Sequence, residues 1–229
     1  MSGGLAALAT RLAECRACPR LVAWRELVAS EKRPAYADEV YWGRPVPGFG
    51  DPKARLIVVG LAPAAHGANR TGRMFTGDRS GEWLYRSMWK AGFANHPRSV
   101  GRSDGLRLVD AWVTSAVRCA PPQNRPTPAE RDACASWLDA ELAMLTEARW
   151  FVCLGELAYL AVWRHLGRTG LDLPRPRPRF AHGLQVALGE LVVSASFHPS
   201  QQNTFTGKLT EDMLDLVFEV VREAFDARG

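Results

Sequence analysis

The chain has 229 residues, of which 47% are hydrophobic, and it carries a formal net charge of +5 with a pI of about 9.2. This length suits one α/β domain with a sizeable core, so we predict a single domain over residues 1–229. No apolar run is long enough to cross a bilayer, and the N-terminal segment lacks the pattern of a signal peptide. These features argue against a membrane protein and predict a cytoplasmic one.

Hydrophobic periodicity predicts two N-terminal helices, near residues 4–16 and 20–31, followed by an irregular stretch rich in Pro and Gly. Strands and helices then alternate. The strands are expected near residues 55–60, 111–117, 149–154 and 190–196, and the helices near 80–92, 127–146, 155–167 and 209–227. Such alternation is typical of an α/β fold in which helices cover both faces of a short parallel sheet.

The first predicted strand, RLIVVG, is followed by a long loop, GLAPAAHGANRTGRMFTGD, from Gly60 to Asp78. Connections of this kind are usually only a few residues long. Four glycines allow the backbone to approach a ligand closely. Polar groups are supplied by His66, Asn69, Arg70, Thr71, Arg73, Thr76 and Asp78. The length and composition of this loop favour a binding site over a plain connection.

A second polar loop, SASFHPSQQNTFTGKLT, leaves the last predicted strand and enters the last helix. Because ligands bind beyond the carboxyl ends of parallel strands, we expect both loops to face one crevice. His198 supplies one titratable ring there, and residues 200–204 supply neutral hydrogen-bonding groups. A lone histidine is more often structural, so its position alone leaves a structural and a catalytic role equally open.

Four of the five cysteines form a pattern that suggests metal or redox chemistry. Cys15 and Cys18 form a C-x-x-C pair, Cys119 ends an apolar run, and Cys134 lies in the first turns of the next predicted helix. Disulfides are disfavoured in a reducing compartment. Zinc sites usually show two short knuckles, whereas iron–sulfur clusters accept widely spaced cysteines. Four unrelated buried thiols remain the alternative, and Cys153, in an apolar run, is interpreted as a core residue.

The segment GRTGLDLPRPRPRF, residues 167–180, alternates Pro and Arg and has no apolar period. This composition is typical of a solvated loop. A phosphate contact is one interpretation of its arginines. A plain surface linker is slightly favoured.

Four motifs together resemble the family 5 uracil-DNA glycosylases, an iron–sulfur branch of the uracil-DNA glycosylase superfamily. They are CRACPRLVAWRE, GLAPAAHGANRTGRMFTGD, VRCAPPQNRPTPAERDAC and HPSQQNTFTGKLT, and they follow the family's order over almost the whole chain. The resemblance implies a three-layer α/β/α fold with a four-stranded parallel central sheet. It also implies that a 4Fe-4S cluster ties down the N-terminal helices, with the ligands Cys15, Cys18, Cys119 and Cys134.

The implied activity is hydrolysis of the bond between a damaged base and deoxyribose, after the nucleotide has rotated out of the duplex. By resemblance, the ring of His198 and main-chain N–H groups after Gly60 donate hydrogen bonds to the leaving base, and Phe75 stacks on it. Asp78 is the candidate to stabilise the sugar cation and to activate water, with Asn124 as a helper. The predicted base-binding set is Gly60, Ala62, Pro63, Ala64, Ala65, Phe75 and Ser115.

The resemblance also implies a DNA-binding surface around the two loops. Residues 201–205 are expected to enter the minor groove, and basic side chains are expected to bind phosphates. The predicted DNA contacts are Arg70, Arg73, Gln201, Gln202, Asn203 and Lys208. The expected partner is DNA that contains uracil or other deaminated bases, and the expected protein is a monomeric, nucleoid-associated enzyme of the cytoplasm.

Two positions differ from the wider superfamily. Ala62 stands where many relatives have a water-handling Asp or Asn, which is the pattern of family 5 itself. Ser115 stands where close iron–sulfur relatives have an Asn that reads the uracil edge. A pocket without that Asn should discriminate less, which predicts activity on hypoxanthine and xanthine as well as on uracil.

Ordinary structural roles are alternatives for these residues. Asp78 could only cap the following helix, Phe75 could be a core residue, and Asn124 could be a turn residue. Two other functions also stay open: a protein that binds uracil-containing DNA or its abasic product without catalysis, and an iron–sulfur electron carrier.

Overall fold

The computed structural model describes residues 2–227, so the first residue and the last two residues of the predicted 1–229 domain lie outside it. Its strands form one mixed sheet in the order β1-β3-β2-β4-β6-β5. The strands are β1 (Phe49–Gly50), β2 (Leu56–Gly60), β3 (Ala111–Ser115), β4 (Trp150–Leu154), β5 (Gln185–Leu188) and β6 (Leu191–Ser196). Four of them, β3, β2, β4 and β6, are parallel neighbours, and β1 and β5 pair antiparallel at the two edges.

The predicted four-stranded sheet is therefore corrected to a six-stranded one. All four strands expected from the sequence are present, and two short strands are added at the two edges of the sheet. β1 has only two residues, which is too short for a periodic pattern. β5 lies at the sheet edge and is mostly exposed or half-buried, so it lacks the continuous apolar run of a central strand.

Eight α-helices occur within residues 2–227. They are α1 (Ser2–Ala13), α2 (Pro19–Glu31), α3 (Ala68–Thr71), α4 (Arg79–Lys90), α5 (Pro128–Leu142), α6 (Glu156–Arg168), α7 (Gln201–Phe205) and α8 (Glu211–Asp226). α5 begins with a capping box, in which the side chains of Thr127 and Glu130 each accept a hydrogen bond from the other's main-chain N–H. No helix in this part of the chain is long and apolar enough to cross a membrane.

The sheet is the middle layer of three. Every residue of β2, β3 and β4 is buried, as expected for parallel strands covered on both faces. Successive side chains of a strand point to opposite faces. Leu56 and Val58 thus join the core that contains residues of α4 and α8, whereas Ile57 and Val59 join the core that contains residues of α5 and α6.

The N-terminal helices are tied to the loops around the sheet by buried polar contacts. Arg25 of α2 is only 2% exposed, and its Nη2 donates to the main-chain carbonyl of Cys15 at 3.0 Å. Asn69 Nδ2 donates to the main-chain carbonyl of Arg25 at 3.2 Å. On the other side, Arg118 and Glu141 form a buried ion pair at 2.7 Å, which joins the chain after β3 to α5. These contacts fix the two segments that carry the paired cysteines.

Candidate active site

A cavity of about 770 Å³ opens at the carboxyl ends of the parallel strands. Both long loops singled out in the sequence line it, together with Arg33, Tyr36 and the turn at residues 123–125. α/β proteins commonly bind ligands at this edge of the sheet. The two loops therefore face one crevice, as predicted.

Phe75 forms part of the cavity wall and lies beside His198, with 5.8 Å between the ring centroids and 30° between the ring planes. Its φ of 51° is in the left-handed region, which residues other than glycine rarely adopt. Gly60 makes room for the ring, because a Cβ at that position would lie 2.7 Å from Phe75 Cζ. Backbone strain of this kind is concentrated at functional sites. Phe75 thus lines the cavity and also belongs to the core that contains Leu56 and Val58, and its role in binding a base stays a prediction.

His198 is neutral and firmly held. Asn203, which the sequence suggested as a DNA contact, donates through Nδ2 to the main-chain carbonyl of His198 at 2.8 Å. Burial lowers the pKa of His198 to about 4, so its ring is uncharged at pH 7. A neutral imidazole still carries one ring N–H donor. His198 can therefore donate a hydrogen bond without bringing a positive charge into the cavity.

The residue before His198 is clamped by two neighbours. His182 stacks on Phe197, with 5.3 Å between the ring centroids, and His182 Nδ1 accepts a hydrogen bond from the Phe197 main-chain N–H at 3.3 Å. The Lys208 ammonium, another predicted DNA contact, lies 4.6 Å from the centroid of the Phe197 ring. Burial lowers the pKa of His182, which keeps its Nδ1 able to accept. His182 and Lys208 thus support the strand end that presents His198.

Asp78 combines the ordinary role with a place at the cavity. Its Oδ1 accepts a hydrogen bond from the main-chain N–H of Gly81 at 2.9 Å, so it caps α4. The same side chain lines the cavity, and burial raises the pKa of its carboxyl above the ordinary range. Gly67 allows this placement, since a Cβ there would overlap the Asp78 carboxylate.

Asn124 lies at the mouth of the cavity. It is exposed, and both Asn124 and Gln123 have φ of 56° in a turn that follows Pro121 and Pro122. Left-handed turn positions are an ordinary setting for Asn. The structure therefore places Asn124 in a turn that also lines the cavity.

The predicted phosphate contacts Arg70 and Arg73 are used inside the protein. Arg70 is 8% exposed and donates to Glu39 Oε2 at 2.5 Å and to two main-chain carbonyls. Arg73 is 4% exposed and forms an ion pair with Asp104. Removing a buried guanidinium from its carboxylate is costly. This corrects the predicted role, because both arginines shape the first loop instead of facing DNA.

Ser115 does not line the cavity. It is 1% exposed at the end of β3, and its hydroxyl donates to the main-chain carbonyl of Val117 at 2.8 Å. The predicted base contact by Ser115 is therefore corrected. Among the other predicted base-binding residues, Ala62, Ala64 and Ala65 do line the cavity, as does Pro63. Within residues 2–227, the main-chain N–H groups of these three alanines have no hydrogen-bond acceptor.

Several lining residues had no role in the sequence interpretation. Arg33, Arg79 and Arg125 line the cavity, are exposed, and form no ion pair within the described part of the chain. They come from three separate segments that only the fold brings together, so no spacing pattern could identify them. His66 was noted as polar, but its contact was not predicted: its Nδ1 lies 3.0 Å from the hydroxyl of Tyr41.

The four cysteines that the sequence pattern groups together line a second, small cavity. Cys15, Cys18, Cys119 and Cys134 surround it, together with Arg25. Arg25 Nη1 donates to Cys119 Sγ at 2.9 Å, whereas its buried Nε has no acceptor within the described residues. A buried guanidinium with an unused N–H favours a negatively charged group beside it. An unused N–H of Arg25 is thus available to a negatively charged group among the four cysteines.

Residues 2–227 contain no group of three or more His, Cys, Asp or Glu side chains placed to hold a single metal ion. Each thiolate of a 4Fe-4S cluster binds a different iron, so its four ligands surround a larger volume than the ligands of one ion do. The four cysteines line one shared cavity, of about 20 Å³. The cluster itself stays a prediction.

The fold and the site define a class of protein: an α/β/α protein whose cavity, at the carboxyl ends of the strands, pairs an aromatic ring with a neutral histidine. The family model "Uracil DNA glycosylase superfamily" matches residues 47–222. That match places the chain in a superfamily with the expected architecture.

Several relatives carry the name "Type-5 uracil-DNA glycosylase". The one from Mycobacterium tuberculosis is 52% identical over 224 residues, which cover 97% of this chain and 82% of the relative. The one from Mycobacterium leprae is 51% identical over 219 residues, covering 95% and 94%. The one from Thermus thermophilus is 51% identical over 215 residues, covering 93% and 95%. The chain belongs to the type-5 uracil-DNA glycosylase family, as its four motifs predicted.

Proposed function

We propose that this protein hydrolyses the bond between uracil and deoxyribose in DNA and leaves an abasic site. The observation that carries the proposal is the pairing of Phe75 with a neutral His198 in one cavity, in a chain of the type-5 family. A base inside a duplex cannot reach such a cavity, so the nucleotide must rotate out of the stack. The ring of Phe75 then stacks on the extruded base.

The leaving base is stabilised by hydrogen-bond donors. As the bond breaks, negative charge develops on the base and positive charge on the sugar. The ring N–H of His198 and the unused main-chain N–H groups of Ala62, Ala64 and Ala65 supply donors for the base. A neutral imidazole suits this role because it remains a hydrogen-bond donor throughout the reaction.

Asp78 acts on the positive charge that develops on the sugar. Its carboxylate, held at the cavity wall by the cap on α4, stabilises the sugar cation and orients or deprotonates the attacking water. Asn124 at the entrance helps to position the water or the base. The cap holds the carboxylate in place through Oδ1.

The DNA backbone is bound by side chains other than those first expected. Arg33, Arg79 and Arg125 line the rim without an ion pair in the described part of the chain and are suited to phosphates, in place of the buried Arg70 and Arg73. Gln201 and Gln202 are exposed at the same rim and fill the space that the rotated nucleotide leaves. The protein acts as a monomer on uracil-containing DNA.

A 4Fe-4S cluster bound by Cys15, Cys18, Cys119 and Cys134 would supply a structural link between the N-terminal helices and the chain around the site. Arg25 would offset part of the negative charge of the thiolates. Support for this assignment comes from the shared cavity and from the unsatisfied Arg25 Nε.

We also propose that hypoxanthine and xanthine are substrates. The cavity has room for a purine, and its wall near the base is built from small residues and main-chain groups. Ser115 does not reach the cavity, so it does not replace the Asn of the iron–sulfur relatives. The test is release of abasic sites from duplexes that contain inosine or deoxyxanthosine, and excision of uracil alone would refute this breadth.

The function is tested by alkaline cleavage of a labelled duplex that carries one uracil. We expect cleavage by the wild-type protein and severe loss in His198→Ala and Asp78→Ala. Matched controls are His96→Ala and Asp212→Ala, which change the same residue types away from the cavity and should remain active. Binding of the uracil duplex without any alkali-labile product would identify a binding protein instead and refute the proposed reaction.

A further inference from the structure

The segment between α6 and β5 runs from the side of the sheet where the parallel strands begin to the side where they end, which carries the cavity. α6 begins after the carboxyl end of β4 and ends at Arg168, so it returns the chain to the side of the sheet where the parallel strands begin. β5 is antiparallel to β6, and its first residue, Gln185, pairs with Ser194 near the carboxyl end of β6. The intervening residues 169–184 must therefore return to the edge that carries the cavity.

Contacts fix the second half of this segment beside that edge. The hydroxyl of Tyr159, in the first turns of α6, donates to the main-chain carbonyl of Pro178 at 3.0 Å. The ring of Phe180 lies 6.1 Å from the ring of Phe197, the residue before His198. The main-chain N–H of Gly183 donates to the carbonyl of Ala195 at 2.9 Å. The segment is thus anchored to the strand end that presents the catalytic histidine.

The anchored segment is strongly basic. No acidic residue occurs between positions 173 and 189, whereas Arg175, Arg177 and Arg179 alternate with three prolines. All three arginines are exposed, and none forms an ion pair within residues 2–227. Arg177 packs on the ring of Tyr159 at 5.9 Å, which leaves Arg175 and Arg179 without a partner ring or carboxylate there. This contrasts with Arg70 and Arg73, which are buried on carboxylates.

We propose that residues 174–179, the Arg-Pro tract, bind the phosphate backbone of duplex DNA beside the lesion, with Arg175 and Arg179 as the main contacts. This inference rests on the proposed function, because it extends the DNA contact of the same site. Arginine suits phosphate oxygens through its planar fork of donors. The prolines restrict the backbone, so less conformational entropy is lost when the tract binds.

The test compares Arg175→Gln/Arg179→Gln with a control of equal charge, Lys53→Gln/Arg107→Gln. The control side chains are exposed, form no ion pair in the described part of the chain, and precede β2 and β3 at the far edge of the sheet. Fluorescence anisotropy measures the affinity of each protein for an undamaged duplex over a range of salt concentrations. Single-turnover excision of uracil is measured separately at saturating protein.

We expect the tract variant to bind the duplex roughly tenfold more weakly near physiological salt. The plot of log K against log salt should become shallower by about 1.8, or about 0.9 for each of two lost phosphate contacts. The control should keep the wild-type slope, and saturated excision should stay unchanged in both. The proposal is overturned if the tract variant and the control have the same slope. Because undamaged duplex is the ligand, failure of the wild type to excise uracil would be seen separately.

Discussion

His198 lies against Phe75 in surroundings that lower its pKa to about 4. In the proposed reaction it meets the leaving base as a neutral donor at pH 7. We expect His198→Ala to lower the single-turnover rate of uracil excision by roughly 10²- to 10³-fold, the usual loss when one donor to a developing anion is removed. The affinity for uracil-containing duplex should change little. An equal loss in affinity and rate would instead indicate a role in ground-state binding.

Asp78 gives the pH dependence of the reaction. Burial raises the pKa of its carboxyl, so the group is protonated as pH falls through a value above that of an ordinary Asp. In the proposed reaction the active form is the carboxylate, so the rate should decline as pH falls through this range. A rate–pH profile measures this, and Asp78→Asn should be slow without that acid limb.

Two substitutions of Asp78 distinguish a catalytic role from helix capping. Asn is as good a helix cap as Asp, so Asp78→Asn should keep the stability of the fold, whereas Asp78→Ala should lose about 1 kcal/mol of unfolding free energy. If both variants excise uracil at the wild-type rate, Asp78 is only a cap. Urea unfolding of the three proteins provides the comparison.

At the scale of elements, the end of β6 depends on the packing around Phe197. His182 stacks on this ring and accepts its main-chain N–H. We expect His182→Phe, which keeps a ring but removes the acceptor, to lower the excision rate roughly tenfold through a displaced His198. Duplex affinity should be retained. Recovery of the rate in His182→Asn, which restores an acceptor, would separate this positioning role from a general loss of packing.

The long elements follow from sequence because their signals are local. β2 was expected at residues 55–60 and is Leu56–Gly60, and α6 was expected at 155–167 and is Glu156–Arg168. Continuous apolar runs and capping residues mark such elements within the segment itself. β1, β5, α3 and α7 were missed because two to five residues are too few to show a period.

In the candidate site, too, some residues could be predicted from local sequence and others could not. Phe75, Asp78 and His198 were found because they lie in motifs at strand ends. The roles of Arg70 and Arg73 were misjudged because a charged residue in a loop is normally solvated. Their partners, Glu39 and Asp104, are each 31 positions away along the chain. Only the folded chain reveals pairs of that kind.

At the scale of the whole molecule, the cavity lined by four cysteines joins the N-terminal helices to the chain around α5. We expect Cys134→Ser to lower the iron content and the melting temperature, and to increase hydrogen exchange in α1 and α2, because the link between the segments is lost. Iron analysis and exchange mass spectrometry measure these effects.

Cys153→Ala is the matched control for that experiment. Cys153 is fully buried in β4, in a core that contains none of the four paired cysteines. Its substitution should leave the iron content unchanged, although some stability is lost with the buried sulfur. Equal iron content in Cys134→Ser and the wild type would contradict the assigned ligand.

Arg70 and Arg73 hold the first loop from within, through carboxylates of the protein itself. The first loop is thus held by contacts within the protein, and the cost of exposing the base falls on the DNA. Lesions that leave their partner base most readily should then be removed first. We expect uracil opposite guanine, a wobble pair left by cytosine deamination, to be excised faster than uracil opposite adenine when the two duplexes are compared in single-turnover assays.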